Sequence, residues 1–271
     1  MPNKYEMPDK YEIEKRIGTG SFGEVYLVKN NETKEFFAAK IEEKKKSNRL
    51  FNECKIYVNM QKRGFTEGLP KFYEYIETQL FNIMIIELLD ISLDKTIIYK
   101  KRKTIEEIKK IGYDITCLLE KMHNSHYIHR DIKPNNFMYK DNKLYIMDFG
   151  LSKNYLVKGK HMNFRSDRSM IGTARYASIN IHMGKEPSRR DDLESVSYML
   201  IYFLIGTLPW QGLNKIEGKD HLENIGNVKL CTNMRKLCKD LPECFVKYNE
   251  YARSLSFEQK PNYDYLKSLM L

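Results

Sequence analysis

Two short segments near the middle of the chain carry side chains that could transfer a phosphoryl group. The first reads H-R-D-I-K-P-N-N and places Asp131 five residues before Asn136, and the second, D-F-G, begins at Asp148. A carboxylate such as Asp131 can orient a hydroxyl nucleophile, and Lys133 is placed to neutralise a transferring phosphate. Asn136 and Asp148 can hold Mg²⁺ against a triphosphate. The spacing therefore predicts a metal site beside a catalytic base.

A glycine-rich loop upstream could supply a phosphate cradle. The segment I-G-T-G-S-F-G-E-V contains Gly18, Gly20 and Gly23 in a G-x-G-x-x-G pattern. Glycines let backbone N–H groups approach phosphate oxygens closely. The pattern lies between two strand-like segments, whereas the third glycine of a dinucleotide-binding fold opens a helix. The motif alone leaves a plain glycine hairpin open as an alternative.

A lysine and a glutamate follow the glycine loop at a suggestive spacing. Lys40 ends A-A-K in the third predicted strand, 17 residues after Gly23. Its ammonium could reach the α- and β-phosphates of a nucleotide, and Glu53 on the next predicted helix could hold it in place. Taken singly, each is ordinarily a surface charge. Their combination with the glycine loop favours the functional interpretation.

The elements that must position these residues change in character along the chain. Strand-like patterns cover Tyr11 to Ala39, Phe72 to Glu77 and Phe81 to Leu89. Helical patterns cover Arg49 to Gln61, Thr104 to His123, Arg190 to Ile205 and Glu243 to Leu255. We therefore expect an α+β protein in which a small β-rich unit precedes a larger helical one, with the boundary near Glu87 to Ile91.

Composition indicates a globular protein of ordinary character. The chain has 271 residues, of which 42% are hydrophobic and 30% are charged. The longest apolar run, Val196 to Ile205, is shorter than the roughly 20 residues that span a bilayer. The first ten residues contain no apolar signal core, so secretion is not expected. Five cysteines without a C-x-x-C pair favour a reduced intracellular protein, cytoplasmic or also nuclear.

The positive charge is distributed unevenly. Residues 1–90 contain 15 Lys and Arg against 15 Asp and Glu, so the whole formal charge of +10 comes from the remainder of the chain. A basic surface on the larger part favours acidic or phosphorylated partners. From Leu151 to Arg175 six basic residues, Arg168 among them, face a single acid, Asp167. This stretch is either a solvated basic loop or an anion site beside a substrate groove.

Asp192 lies in a second acidic and basic cluster, S-R-R-D-D-L-E-S. Because Asp is favoured where helices begin, we expect Asp192 to cap the helix that ends at Ile205. This interpretation gives the residue a structural role and no part in catalysis.

The chain closely resembles protein kinases of the casein kinase 1 family, from about Tyr11 to Leu266. The resemblance depends on R-Y-A-S-I-N-I-H in place of the A-P-E of most kinases, on S-R-R-D-D-L-E-S, on L-P-W-Q-G-L, and on Y-A-R-S-L-S-F-E-Q-K-P-N-Y-D-Y-L near the end. It implies a bilobal kinase fold with an N-lobe at residues 1–86, a hinge at 87–92 and a C-lobe at 93–271. It also implies transfer of the γ-phosphoryl group of ATP to Ser or Thr, with Mg²⁺, at acidic or already phosphorylated sites.

The resemblance assigns further residues to two sites. The implied ATP site comprises Ile17, Gly18, Gly20, Ser21, Gly23, Val25, Ala38, Lys40, Ile86, Glu87 and Leu89. The implied substrate anion site comprises Arg175, Arg168, Gly212 and His221. Three departures from the family stand out: Ile86 replaces a frequent Met, Asn135 replaces Asp, and His221 aligns with a phosphate-binding Lys.

Two other classes of function compete with an active kinase. One is a pseudokinase or docking module, which the complete catalytic set of Lys40, Glu53, Asp131, Asn136 and Asp148 argues against. The other is a basic protein that binds nucleic acid or a membrane surface. Two observations argue against this alternative: the basic residues of the chain are interspersed with acidic ones, and the sequence contains no nucleic-acid recognition motif. We therefore expect protein substrates, no nucleic-acid or membrane partner, and a monomer.

Overall fold

The computed structural model describes residues 5–20, 23–45, 49–99, 103–214 and 220–271. It forms two compact units, one made of Met1–Ile91 with Met138–Gly150 and the other of Ser92–Phe137 with Leu151–Leu271. The first unit contains an antiparallel five-stranded sheet and the second is largely helical, which confirms the predicted α+β class. Ser21, one of the predicted ATP contacts, lies outside the described residues.

The sheet of the first unit has the strand order β1-β2-β3-β5-β4. Its strands are β1 (Tyr11–Gly20), β2 (Gly23–Asn30), β3 (Phe36–Glu43), β4 (Phe72–Glu77) and β5 (Phe81–Glu87). Each strand overlaps a predicted strand-like segment, and neighbouring strands pair antiparallel. Gly18 and Gly20 lie on β1 and Gly23 begins β2, in the strand context that the sequence predicts.

The register of the strands gives the sheet two different faces. Residues that pair across neighbouring strands place their side chains on the same face. Val25 pairs with Lys40, and Ala38 pairs with Ile86, so these four side chains share one face. The other face carries an apolar core of Val28, Phe37, Ala39, Ile41, Ile83 and Ile85, covered by Tyr5 and Met7 from the segment before β1.

The helix of the first unit, α1 (Arg49–Lys62), follows β3. Its buried residues include Leu50, Glu53, Cys54, Tyr57 and Met60, which recur at the spacing of one helical face. Glu53 is the charged member of this otherwise uncharged stripe. A buried carboxylate is costly unless it is paired, so its partner has to come from elsewhere in the unit.

Helices of 4 to 20 residues form most of the second unit. They are α2 (Leu93–Tyr99), α3 (Ile105–Asn124), α4 (Ile179–His182), α5 (Arg189–Ile205), α6 (His221–Cys231), α7 (Met234–Leu237), α8 (Glu243–Ser254) and α9 (Tyr263–Leu269). The remaining strands are short: β6 (Ile91–Ser92), β7 (Tyr127–Ile128), β8 (Phe137–Lys140), β9 (Lys143–Ile146), β10 (Lys153–Asn154), β11 (Leu156–Val157) and β12 (Lys160–His161). Among the described helices, none has the length and apolarity needed to cross a membrane.

Helix α5 is the centre of the helical unit, because its residues from Asp191 to Ile201 are all buried. A helix buried on all sides must pack against several neighbours, and α3 and α8 both pack against it. Thr104 caps α3 in a reciprocal capping box with Glu107. Gly206 ends α5 with a φ of 79°, a left-handed conformation that suits glycine.

Candidate active site

Lys40 is the centre of a buried ion-pair network within the first unit. Its Nζ lies 2.7 Å from Glu53 Oε2 and 2.9 Å from Asp148 Oδ1. Burial alone would lower the pKa of the Lys40 ammonium, but the two carboxylates outweigh burial and raise it. The structure thus joins Lys40 and Glu53 as predicted and adds Asp148 to the pair. The resulting cation is suited to bind phosphate.

Glu53 also fixes the main chain at D-F-G. Its Oε1 accepts a hydrogen bond of 3.2 Å from the backbone N–H of Phe149. The Phe149 ring is fully buried and meets the ring of Tyr57 edge-on, with centroids 4.8 Å apart. Asp148 itself has a φ of 64°, unusual for a residue other than glycine. One glutamate on α1 therefore positions both the lysine and the segment that carries Asp148.

Several of the predicted nucleotide residues lie on β1, β3 and β5 or just beyond β5. Ala38 and Ile86 are buried on the face that carries Lys40, and Leu89 is buried just beyond β5. Ile17, on β1, is 39% exposed. The Glu87 carboxylate is engaged, because it accepts a hydrogen bond from Lys140 Nζ at 2.5 Å.

The glycines of the hairpin are not equivalent. A Cβ built on Gly23 would lie 2.2 Å from the carbonyl oxygen of Ile41, so only glycine fits beside β3. A Cβ on Gly18 would lie 3.8 Å from Val25, an ordinary contact. Gly20 pairs with Gly23 at the end of the hairpin. Gly23 therefore has a packing reason that the phosphate-cradle interpretation did not include.

Hydrogen-bond donors surround Asp131 in the second unit. They come from the H-R-D-I-K-P-N-N segment (residues 129–136), called the catalytic loop below, and from Thr173. Lys133 Nζ lies 2.6 Å from Asp131 Oδ2, and the Thr173 hydroxyl donates to Oδ1 at 2.8 Å. Asn136 Nδ2 donates to the Asp131 carbonyl at 2.8 Å. Asp131 is 6% exposed. A carboxylate held in this way is oriented before any substrate arrives.

The side chains predicted to bind metal offer suitable donor atoms. The amide nitrogen of Asn136 donates a hydrogen bond to the Asp131 carbonyl. The amide oxygen is therefore the atom that could coordinate a cation. Asp148 offers a carboxylate, of which Oδ1 contacts Lys40. Magnesium prefers oxygen ligands of this kind. The chemistry of both residues fits the predicted divalent ion.

A family model described as the protein kinase domain matches residues 11–266. The chain belongs to the protein kinase family. Membership implies ATP as the phosphoryl donor, a divalent metal ion, usually Mg²⁺, and protein substrates. The residues that the sequence predicts for this chemistry are Lys40, Glu53 and Asp148 in the first unit and Asp131 and Asn136 in the second.

Asp192 does not cap α5, but its role is structural as expected, because it holds the main chain of the H-R-D segment. Its carboxylate accepts hydrogen bonds of 2.8 Å from the backbone N–H groups of His129 and Arg130, and contacts His123 Nε2 at 2.9 Å. Arg130 has a φ of 68°. Burial would raise the pKa of Asp192, but His123 and the hydrogen bond from the His129 N–H lower it. The helix start is served instead by Asp191, which accepts from the N–H of Ser188, the N-cap residue.

Gly172 and Thr173 were not identified from the sequence, although they lie against the catalytic loop. Gly172 has a φ of 80°, and a Cβ there would lie 2.4 Å from the Arg130 carbonyl oxygen. This close approach brings the Thr173 hydroxyl to Asp131. The G-T pair before A-R-Y is a visible signal, but its role depends on a contact across 42 residues.

The four predicted anion-site residues have different surroundings. Arg175 is exposed, and its guanidinium lies 5.3 Å from the ring centre of Tyr202. Gly212 has a φ of 66° with open space where a Cβ would lie. His221 is the first residue of α6. Trp210 Nε1 donates to the Arg175 carbonyl at 2.7 Å, which ties the L-P-W-Q-G-L turn to the Arg175 segment.

Arg168 is engaged in an ion pair with Glu186. Its Nε lies 3.1 Å from Glu186 Oε2, while Lys153 Nζ lies 2.8 Å from Glu186 Oε1. The Glu186 side chain is only 2% exposed. One buried carboxylate therefore offsets part of the charge of the basic loop, an arrangement that the count of basic residues did not reveal.

Proposed function

We propose that this kinase transfers the γ-phosphoryl group of ATP to Ser or Thr in acidic or already phosphorylated protein sites. The observation that carries the proposal is the Asp131 carboxylate, which an ammonium and an aliphatic hydroxyl already approach within hydrogen-bond distance. The Thr173 hydroxyl makes the kind of contact with Asp131 that a substrate Ser or Thr would need. The resemblance to casein kinase 1 supports the same assignment.

Each catalytic side chain has a distinct task in the proposed reaction. Asp131 accepts the proton of the substrate hydroxyl or orients that hydroxyl for attack. Lys133 holds Asp131 and neutralises charge on the transferring group. Lys40, held by Glu53, binds the phosphates of the nucleotide. A bound Mg²⁺ would neutralise phosphate charge, and Asn136 and Asp148 would supply its protein ligands.

The preference for acidic substrates is assigned to Arg175. A guanidinium is always charged and matches carboxylate or phosphate with two parallel hydrogen bonds. Arg175 follows Thr173 by two residues, so the acid-binding side chain and the residue that touches Asp131 share one segment. Gly212 and His221 stay predicted members of this site. Arg168 is a weaker candidate, because Glu186 engages it.

A matched peptide panel tests the proposal. One acceptor sequence is prepared with Ser, Thr or Tyr, and with Asp, phosphoserine or Ala at positions N-terminal to the acceptor. We expect phosphate transfer to Ser and Thr, with a higher kcat/KM for the Asp and phosphoserine peptides. A preference for Tyr, or equal rates for the acidic and Ala peptides at low salt, would contradict it. A monomeric state and a cytoplasmic or nuclear location stay predictions.

A further inference from the structure

Lys229, on α6, is a buried lysine whose described hydrogen bonds go to main-chain carbonyls. The residue has 0% exposure, and Nζ donates to the carbonyl of Ala174 at 2.8 Å and to that of Ala177 at 2.5 Å. The rings of Tyr198 and Trp210 lie against the ammonium, with centroids 5.0 and 5.2 Å away. Removing an ammonium from water is costly, so these contacts have to compensate for it.

The two hydrogen bonds do not require the charge of Lys229. Burial lowers the pKa of its ammonium to about 7, and Glu194 opposes only part of this effect. A neutral amine keeps two N–H groups, one for each carbonyl. What the position demands is therefore a long side chain that ends in at least two donors.

The two carbonyls flank Arg175 in the chain. The carbonyl of Arg175 accepts the hydrogen bond from Trp210, so three carbonyls of residues 174–177 bond to side chains from later elements. At the start of this segment Thr173 touches Asp131. The segment thus links the catalytic carboxylate to the guanidinium assigned to substrate acids.

His182 cannot replace Lys229 as the holder of this segment. Its Nε2 lies 3.2 Å from the Ala174 carbonyl and its Nδ1 lies 3.0 Å from the Leu222 carbonyl. Burial lowers the pKa of His182 to about 4, so the ring is neutral and donates one hydrogen only. The His182 ring can donate to the carbonyl of Ala174 or to that of Leu222, but not to both, and it makes no described contact with the Ala177 carbonyl.

From this geometry we infer that Lys229 is a positioning residue for substrate recognition, which sets the place of Arg175 by holding the carbonyls on both sides of it. The inference rests on the proposed function, in which Arg175 binds the acids of the substrate. An apolar side chain could fill the same space but would leave the Ala177 carbonyl without its donor. The Arg175 segment would then be free to shift, and acidic substrates would suffer most.

The test compares two variants of Lys229 with a matched control. Lys229→Met keeps the length and loses the donors, whereas Lys229→Gln keeps an amide with two N–H groups. Thr116→Val removes other buried hydrogen bonds of the same unit, those of the Thr116 hydroxyl to the Gly112 carbonyl and to Tyr248, without changing residues 173–177. Each protein is assayed for KM on an acidic peptide, KM on its Ala counterpart and KM for ATP. Amide hydrogen exchange is measured over residues 174–178.

We expect Lys229→Met to raise KM several-fold for the acidic peptide and to leave the other two KM values within twofold. Exchange over residues 174–178 should rise in this variant, Lys229→Gln should recover part of both effects, and Thr116→Val should show neither. Equal rises of KM for both peptides would overturn the inference and leave a merely structural lysine. If Lys229→Met does not fold, the same comparison is made with Lys229→Leu, which also lacks the donors and in which an unchanged ratio of the two KM values would overturn the inference.

The exchange measurement separates this inference from the proposed function. Failure of the wild-type protein to phosphorylate the acidic peptide would contradict the proposed function. In that case a rise of exchange over residues 174–178 in the Lys229 variants would still support the positioning role. Unchanged exchange in folded variants would overturn it, whatever the activity.

Discussion

The two sets of side chains with a proposed catalytic role are held in place by different contacts. Around Lys40, opposite charges meet in a buried network with Glu53 and Asp148. Around Asp131, the main chain is held instead, because Asp192 on α5 accepts two backbone N–H groups of the H-R-D segment. The first set is a buried network of three charged side chains, whereas the segment that carries Asp131 is also held by a carboxylate from another helix, Asp192. Changes to the first should affect nucleotide binding, and changes to the second should affect turnover.

The largest effect is expected for Asp131→Asn. The substitution keeps the shape of the side chain and removes the proton acceptor, so kcat should fall by about 10²–10⁴-fold. KM for ATP should change little, because the network around Lys40 is untouched. Steady-state kinetics on a Ser peptide measure both values. Near wild-type turnover would show that Asp131 is not the base.

The support of the H-R-D main chain is tested by Asp192→Asn. An amide offers one acceptor oxygen where the carboxylate offers two, so at least one buried donor loses its partner, at a cost of about 1–3 kcal/mol. We expect a lower free energy of unfolding together with a lower kcat and an unchanged KM for ATP. Denaturant unfolding and steady-state kinetics on the same preparations give these quantities.

Asp191→Asn is the matched control for this prediction. Asp191 is the neighbouring buried carboxylate on α5, and it accepts from Ser178 and from the Ser188 N–H rather than from the catalytic loop. Its substitution should reduce stability without a comparable loss of kcat. Equal losses of kcat in the two variants would mean that α5 acts only by holding the unit together.

The difference between the two sets also explains what the sequence could predict. Lys40, Glu53, Asp131, Asn136 and Asp148 lie in short motifs whose spacing is visible along the chain. Strand β3, which carries Lys40, overlaps a predicted strand-like segment. Local pattern places α1, α3 and α5 within one or two residues of the observed bounds.

Other features depend on contacts between distant segments, which local spacing does not encode. Asp192 was interpreted as a helix cap because Asp is common at helix starts. Its hydrogen bonds to Arg130 and His129 span 62 and 63 positions of the chain, and no local pattern indicates them. Likewise, the positive charge of Arg168 is visible in the sequence, whereas its pairing with Glu186 is a property of the fold. Lys229 was unremarked, since a single lysine in a helix is ordinarily exposed.

The glycine hairpin offers a matched pair of substitutions on the nucleotide side. Gly23→Ala would press a Cβ against the Ile41 carbonyl oxygen at 2.2 Å, whereas Gly18→Ala meets only an ordinary contact. We expect Gly23→Ala to lower the melting temperature and to raise KM for ATP, and Gly18→Ala to leave the melting temperature nearly unchanged. Thermal unfolding measures the effect of each substitution on packing, and ATP titration measures its effect on nucleotide binding. Equal melting temperatures for the two variants would contradict the packing reason for Gly23.

The smallest expected effect is a pH dependence of stability from His123, which joins Asp192 to the rest of the helical unit. His123 is 1% exposed, and burial lowers its pKa, although the hydrogen bond to Asp192 offsets part of the shift. As pH falls through about 6.5, the unfolded chain binds a proton that the folded chain does not. The free energy of unfolding should therefore fall on acidification, by at most about 1.4 kcal/mol per pH unit for this group.

His123→Gln isolates the contribution of His123, because the amide can still donate to Asp192 but does not titrate. His182, whose pKa is also lowered, contributes in the same direction and stays in place as an internal reference. Asp192 keeps its charge over the same range, since its own pKa is lowered. Urea unfolding between pH 5 and pH 7 should then show a shallower dependence for His123→Gln than for the wild-type protein. Parallel curves would mean that His123 accepts the proton without leaving its site, and that the support of the catalytic main chain tolerates a charged ring.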